Sequence, residues 1–209
     1  MRKLLNLLYN FHWIVPGEAA RSAQAWFGLL GPFLRANRLK AVINLRGRHP
    51  NFGWWQYETQ TCARLGVAHF DAMLDSRRLP LKEMLVVLLD SFDAAPRPFV
   101  IKCSGGQDRT GFAAALFVVH RDGWEATETA LGQFARFPYL HFPRSNQLWL
   151  HRFLVFARER ANGAPLAQWV RRDYDPVSFA LWLQPETFNG IWEPWKPPAR
   201  KQGLQSRRA

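Results

Sequence analysis

The chain has 209 residues, 48% hydrophobic and 21% charged, enough for one globular core and unlike a fibrous or disordered chain over most of its length. No run approaches the roughly 18 uninterrupted apolar residues of a membrane-spanning helix. Its two cysteines, Cys62 and Cys103, cannot build a disulfide framework and fit a reducing, cytoplasmic setting. Lys and Arg number 28 against 16 Asp and Glu, a formal charge of +12. That field attracts nucleic acid, anionic membrane faces and phosphorylated substrates alike, so charge alone does not choose among them.

Residues 1–15, MRKLLNLLYNFHWIV, begin like a signal peptide. Asn6, Asn10 and His12 interrupt the apolar run and no small-residue cleavage site follows closely, so the stretch reads as a short helix leading into a strand over Phe11–Val15. Pro16-Gly17 ends that strand. Gln24–Asn37 carries helically spaced apolar residues, bent or split at Gly31-Pro32. Lys40–Leu45 is a short apolar run suited to a buried parallel strand, and Gly53–Leu65 reads as a helix ended by Gly66. A strand over Val67–Leu74 and a helix over Leu81–Phe92, with Pro80 in its first turn, come next. Pro98–Lys102 is a strand running into Cys103; Thr110–His120 is an apolar helix, followed by helices near Trp124–Phe137 and Arg144–Arg160. Strands separated by helices predict an α/β fold, a central mostly parallel sheet flanked by helices on both faces. The expected organisation is one domain over 1–183, with its core at about 11–160, and a Pro- and Trp-containing basic C-terminal tail over 184–209. Trp182, Trp192 and Trp195 precede the basic residues of that tail, a combination suited to an anionic membrane surface as well as to packing on the domain.

In such sheets ligands collect beyond the carboxyl ends of the strands, and the loop Cys103-Ser104-Gly105-Gly106-Gln107-Asp108-Arg109-Thr110-Gly111 begins at such an end. It joins a strand to a helix N-terminus, where free amides and the helix dipole favour an anion. Gly105 and Gly106 let consecutive amides turn inward as a nest, and Arg109 offers a fork to two phosphate oxygens. Cys103 in this positive cradle is expected as a thiolate, suited to attack phosphorus and form a phosphocysteine.

This segment resembles the Cys-x5-Arg-Thr/Ser signature of the cysteine-dependent tyrosine and dual-specificity phosphatases. Arg21-Ser22-Ala23-Gln24 and Ala41-Val42-Ile43-Asn44-Leu45-Arg46 also resemble bacterial and atypical dual-specificity members, so the likeness runs over roughly Phe11–Phe156. The resemblance implies a metal-independent phosphomonoesterase needing no cofactor, with Cys103 as nucleophile and Arg109 binding phosphate and stabilising the transition state. The amides of Ser104, Gly105, Gly106, Gln107, Asp108 and Arg109 would line the cradle, and Thr110 would hydrogen-bond the sulfur. Lys102 stands where the family usually has His, and a cation there favours thiolate.

The family's general acid is an Asp on a loop about thirty residues before the cysteine. Asp75 lies 28 positions before Cys103 in the loop after a strand and is the expected acid; Asp71, 32 positions before it, reads as part of the strand, and Asp108 in the cradle is a third option. Arg46 and Arg48 suit an anionic substrate or are solvated loop charges. Asn146 resembles a family Asn that braces the active site, and Cys62 reads as packing. The expected partner is a phosphorylated protein or lipid headgroup, with peripheral contact at the inner membrane face and no specific nucleic acid. A phosphoinositide or other phospholipid phosphatase is the alternative; a rhodanese-like sulfurtransferase or a non-catalytic phosphate-binding module are weaker readings.

Overall fold

The computed structural model describes residues 2–26 and 28–194. The chain opens with α1 (Arg2–Leu8) and a hairpin of β1 (His12–Val15) and β2 (Ala19–Ser22). β3 (Ala41–Asn44), β4 (Ala68–Asp71) and β5 (Phe99–Lys102) complete a sheet in the order β1-β2-β5-β3-β4 among the described residues. β1 is antiparallel to β2 and every other pairing is parallel. The carboxyl ends of β2, β3, β4 and β5 therefore share one edge.

β2, β3 and β5 are fully buried and β1 and β4 half-buried, with side chains of the central strands alternating between two cores. Ala41, Ile43, Phe99 and Ile101 point into one core, and Val42 and Val100 into the other. α1, α2 (Leu30–Ala36) and α3 (Gly53–Leu65) cover the second face; α4 (Lys82–Ala94) and α5 (Asp108–Asp122) cover the first. α5 is buried continuously from Thr110 to Val119, as expected of a helix apolar on all sides. It is enclosed by α6 (Thr127–Leu131), α7 (Trp149–Ala161), α8 (Leu166–Arg172) and α9 (Pro176–Trp182). Asp175 caps α9 by accepting the amides of Val177 and Ser178. Phe112, Trp149, Phe153, Trp169 and Phe179 meet edge-on between these helices, so much of the aromatic content is core.

Several sequence expectations change. The helix expected over Gln24–Asn37 is only Leu30–Ala36, with Pro32 in its first turn, where its missing N–H costs nothing. β2 was not foreseen, because Ala-Ala-Arg-Ser lacks apolar bulk; its pairing between β1 and β5 makes it a strand. The helix near Trp124–Phe137 shrinks to Thr127–Leu131 with short 3-10 turns on either side. α8 and α9 extend the helical layer past Arg160. Beyond Gln184, Pro185–Thr187 forms a 3-10 turn and Ile191 bridges to Leu79. The remainder of the basic tail, from Trp195 on, lies outside the described residues.

Candidate active site

β5 delivers Cys103 to the shared sheet edge, and α5 starts five residues later, so the intervening loop curls around the sulfur. Cys103 is 3% exposed, and its Sγ accepts the N–H of Gly106 at 3.3 Å. Burial pushes the thiol up. The Arg109 guanidinium, the Thr110 hydroxyl and the amides of Gly106 and Gln107 more than offset that, leaving it below the ordinary thiol value. The Thr110 hydroxyl is buried with no hydrogen-bond partner among the described residues, and its influence on the thiol is to lower it.

The loop conformation is enforced from behind. Gly106 has φ +69°, and a Cβ there would lie 2.5 Å from Ala23 N and 2.6 Å from the Ser22 carbonyl carbon, so only glycine fits. Arg21 on β2, 0% exposed, donates through Nη2 to the carbonyls of Gly106 at 3.2 Å and Gln107 at 3.4 Å, and through Nη1 to Gln133 O at 2.5 Å. Because each peptide unit is planar and trans, drawing these two carbonyls back toward Arg21 turns the N–H groups of Gln107 and Asp108 the other way, and that of Gln107 acts on the sulfur. The Tyr139 ring lies 4.0 Å from the Arg21 guanidinium carbon. Burial lowers the Arg21 pKa to about 10, which still leaves it charged near neutrality. The backbone of Gln24 adds a further tie by donating to Ser104 O at 3.1 Å.

Arg109 stands at the rim, where Nη2 donates to Ser104 Oγ at 3.2 Å. Two cavities meet at it. One, of about 450 Å³, is lined by Asp75, Ser76, Arg77, Arg78 and Asn189; the other, of about 300 Å³, by Arg46, His49, Phe52 and Trp54. The Arg46 guanidinium carbon lies 3.5 Å from the Trp54 ring centroid, within cation–π range. Ser104 and Gly105 are exposed, and Gln107 is half-buried.

The three candidate acids differ. Asp75 lines the larger cavity with Arg109; its Oδ1 accepts the Arg77 amide at 2.7 Å and Oδ2 makes no bond among the described residues. Asp71 is held on both oxygens, accepting from Trp55 Nε1 at 2.9 and 3.1 Å and from Asn44 Nδ2 at 2.7 Å. Asp108 accepts Gln147 Nε2 at 2.9 Å and lies 3.2 Å from His141 Nδ1.

Lys102 is not a free cation beside the nucleophile. Its Nζ contacts Glu58 Oε1 and donates to Gln24 Oε1, both at 2.7 Å, and Gln24 Nε2 donates to Glu58 Oε2 at 2.6 Å. His69 Nε2 lies 2.9 Å from Glu58 Oε1, and Arg46 Nη1 donates to Gln24 Oε1 at 3.4 Å. Burial lowers the Lys102 pKa, and Glu58 offsets part of that. Lys102 thus forms a buried, paired brace joining β5, α3 and the loop after β2, and it also interacts through its charge with Cys103.

Cys62, on α3, belongs to the core on the opposite face from Cys103, and burial pushes its thiol up to about 12, as for a packing cysteine. Arg48 is exposed. Asn146 Nδ2 donates to Asn189 Oδ1 at 3.2 Å. Sequence reasoning missed the roles of Arg21, Gln24, Glu58 and Gln147. Only the charged Arg21 inside a short run bounded by turns carried a local signal.

The tyrosine phosphatase family model matches residues 56–120, a stretch that includes Cys103 and Arg109. Among solved structures, Tk-PTP superposes with a TM-score of 0.53 at 19% identity, covering 69% of this chain and 95% of that one. PTPMT1 in complex with PI(5)P gives 0.52 at 18%, covering 72% and 98%. TpbA of P. aeruginosa in complex with pTyr gives 0.50 at 16%, covering 84% and 91%. Among curated proteins, none matches the chain. The likeness to the solved structures is one of fold: a mostly parallel sheet with helices on both faces.

Proposed function

We propose that the chain is a cysteine-dependent phosphatase of the tyrosine and dual-specificity type that hydrolyses phosphomonoesters through a phosphocysteine intermediate, a reading supported by the family-model match over residues 56–120 and the geometry at Cys103. The observation that carries the reading is the lowered thiol of Cys103, enclosed by the Gly106 amide, the N-terminus of α5 and the Arg109 guanidinium. The thiolate attacks phosphorus as the P–O bond to the leaving group breaks, and Asp75 gives its proton to the departing oxygen. Water then attacks the phosphocysteine with its proton passing to Asp75, and the sulfur leaves as thiolate, stabilised by Thr110. Arg109 and the inward amides hold the equatorial oxygens throughout. Asp75 is preferred over Asp71 and Asp108 because it lines a cavity with Arg109 and one of its oxygens makes no hydrogen bond among the described residues.

Release of phosphate from an aryl phosphate by wild type and by Cys103→Ser tests the reaction. Hydrolysis that persists in the variant, or that is absent from wild type across pH 5–8, removes it; thiosulfate turnover without phosphate release supports a sulfurtransferase instead. Asp75→Asn is expected to slow alkyl phosphates far more than activated aryl phosphates, whose leaving group needs little protonation. The same selectivity in Asp108→Asn, and not in Asp75→Asn, transfers the role to Asp108.

A second reading concerns the substrate. Arg77 and Arg78 line the cavity on one side of Arg109 and Arg46 the cavity on the other, which favours a phosphomonoester carrying further negative charge, such as a phosphoinositide or other phospholipid headgroup. Leu4, Leu7 and Leu8 are exposed on α1 beside Arg2 and Lys3, a surface suited to peripheral contact with the inner, anionic membrane face of a cytoplasmic location. Phosphate release from phosphoinositides in vesicles, compared with phosphotyrosine peptides, decides between the two.

A further inference from the structure

The loop after β4 that carries Asp75 is held by a segment more than a hundred residues downstream. Arg77 O accepts the amide of Asn189 at 2.6 Å, Leu79 N–H donates to Gly190 O at 3.0 Å, and Trp192 N–H donates to Leu79 O at 2.8 Å. Leu79 and Ile191 form a parallel bridge, and the side chains of Leu79 and Ile191 join the main core, Leu79 fully buried. Asn189 also lines the cavity shared by Asp75 and Arg109, and its side chain accepts from Asn146. The other side of the loop is tied independently. Trp149 Nε1 donates to Ser76 O at 3.0 Å, Gln147 Nε2 to Ser76 Oγ at 3.1 Å, and Tyr174 Oη to Pro80 O at 2.8 Å.

A surface loop with unpaired backbone groups samples many conformations, because water satisfies those groups equally well in each. Here Arg77 and Leu79 spend their backbone groups on one partner in one register, and the buried Leu79–Ile191 contact anchors that register. Asp75 is fixed to the same loop by its bond to the Arg77 amide, so whatever positions the Arg77 peptide positions the carboxylate.

We propose that Asn189–Trp192 is a positioning element for the general acid: by pairing with Arg77–Leu79 it holds Asp75 over the phosphate cradle before substrate arrives. The inference rests on the assignment of Asp75 as the acid. Asn189 acts through its backbone on Arg77 and thence on Asp75. Its role is therefore to set where the proton is delivered, with phosphate affinity left to Cys103, Arg109 and the cradle amides.

Asn189→Pro removes the N–H that Arg77 O accepts, and Phe188 before it is already extended, as a residue preceding proline should be. Asn189→Ala keeps that N–H and serves as the control. The expected result for Asn189→Pro is a fall in kcat on an alkyl phosphate by about 10-fold or more, a share of the 10²–10⁴ that a general acid supplies. The kcat on p-nitrophenyl phosphate and the inhibition constant of inorganic phosphate should stay within about twofold, and the basic limb of the alkyl-phosphate pH profile should be lost. Asn189→Ala should keep wild-type selectivity. Equal falls on both substrates in Asn189→Pro, while Asp75→Asn remains selective, overturn the proposal and leave the acid assignment standing. An unselective Asp75→Asn overturns the acid assignment and the proposal with it. Amide hydrogen exchange of the wild-type protein keeps the test open should Asn189→Pro not fold. The amides of Leu79, Asn189 and Trp192 are expected to be protected and to open together, and exchange at the rate of free loop amides would overturn the pairing on which the proposal stands.

Discussion

Arg21 Nη2 donates to the carbonyl oxygen of Gly106 at 3.2 Å, and this bond sets which way the Gln107 N–H of the same planar peptide unit faces. The anion cradle thus depends on a buried cation that never meets the anion. Arg21→Met would take the Arg21 donor from the carbonyls of Gly106, Gln107 and Gln133, leaving Gly106 O with Asn10 Nδ2 and Gln107 O with the Gly111 amide, and a destabilisation of about 1–3 kcal/mol is expected. Inhibition by inorganic phosphate should weaken in the same variant, and Arg21→Lys should restore only part of it, since an ammonium cannot span both nitrogens' partners. Denaturant unfolding and phosphate inhibition measure the two effects.

Thr110 and Arg109 both hold the Cys103 thiol below its ordinary value of 9.0. The pH midpoint for alkylation of Cys103 by iodoacetamide should accordingly lie below that of a free thiol. Removing either support raises it: Arg109→Ala by more, because its charge is the larger influence, and Thr110→Val by less. An unmoved midpoint in Thr110→Val would mean that the hydroxyl does not act on the sulfur.

The Lys102–Glu58 pair is almost fully buried. Lys102→Met strands the carboxylate and should cost about 3–5 kcal/mol, whereas pairing it with Glu58→Gln should recover much of that loss. Glu58 sits below its usual 4.5: burial raises it, but Lys102 and His69 lower it further. A carboxylate depressed by folding contributes stability that is complete above 4.5 and is lost as pH falls through its folded value. The Lys102→Met/Glu58→Gln protein should lack that acid-limb loss in a Tm-versus-pH series.

His151 packs on Phe134 with ring centroids 4.1 Å apart, and burial, reinforced by His141, lowers it to about 4 from 6.5. The folded protein keeps this ring neutral where the unfolded chain protonates it. Stability should therefore be full above pH 6.5 and decline as pH falls from 6.5 toward 4. His151→Gln should flatten that part of the profile without altering turnover at pH 7.

Much of this molecule could be read along the chain. The helix Gly53–Leu65 and its Gly66 terminator, with φ +66°, are encoded locally by apolar spacing and a left-handed cap. The runs that became β3 and β5 are continuous apolar stretches, and their order with the intervening helices specified a parallel sheet with Cys103 at its carboxyl edge. β2 escaped because Ala-Ala-Arg-Ser has no hydrophobic signature and is a strand only through its neighbours. The helix expected from Gln24 starts only at Leu30 because Gly28 is left-handed at φ +74° and the Gln24 backbone is tied to Ser104 O, a partner that no local window contains.

The same division runs through the active site. Cys103, the glycines, Arg109 and Thr110 sit within eight consecutive residues, so strand, tight turn and helix N-terminus fix their relation over a few bonds, and the linear order alone was enough to point to the proposed nucleophile and its cradle. Arg21, the Lys102–Glu58–Gln24 brace and the pairing of Asn189–Trp192 with the loop of Asp75 join positions tens to more than a hundred residues apart. Those relations come into being only when chain closure brings the segments together, because hydrogen bonds and buried ion pairs act over about 3 Å of space whatever the separation along the chain.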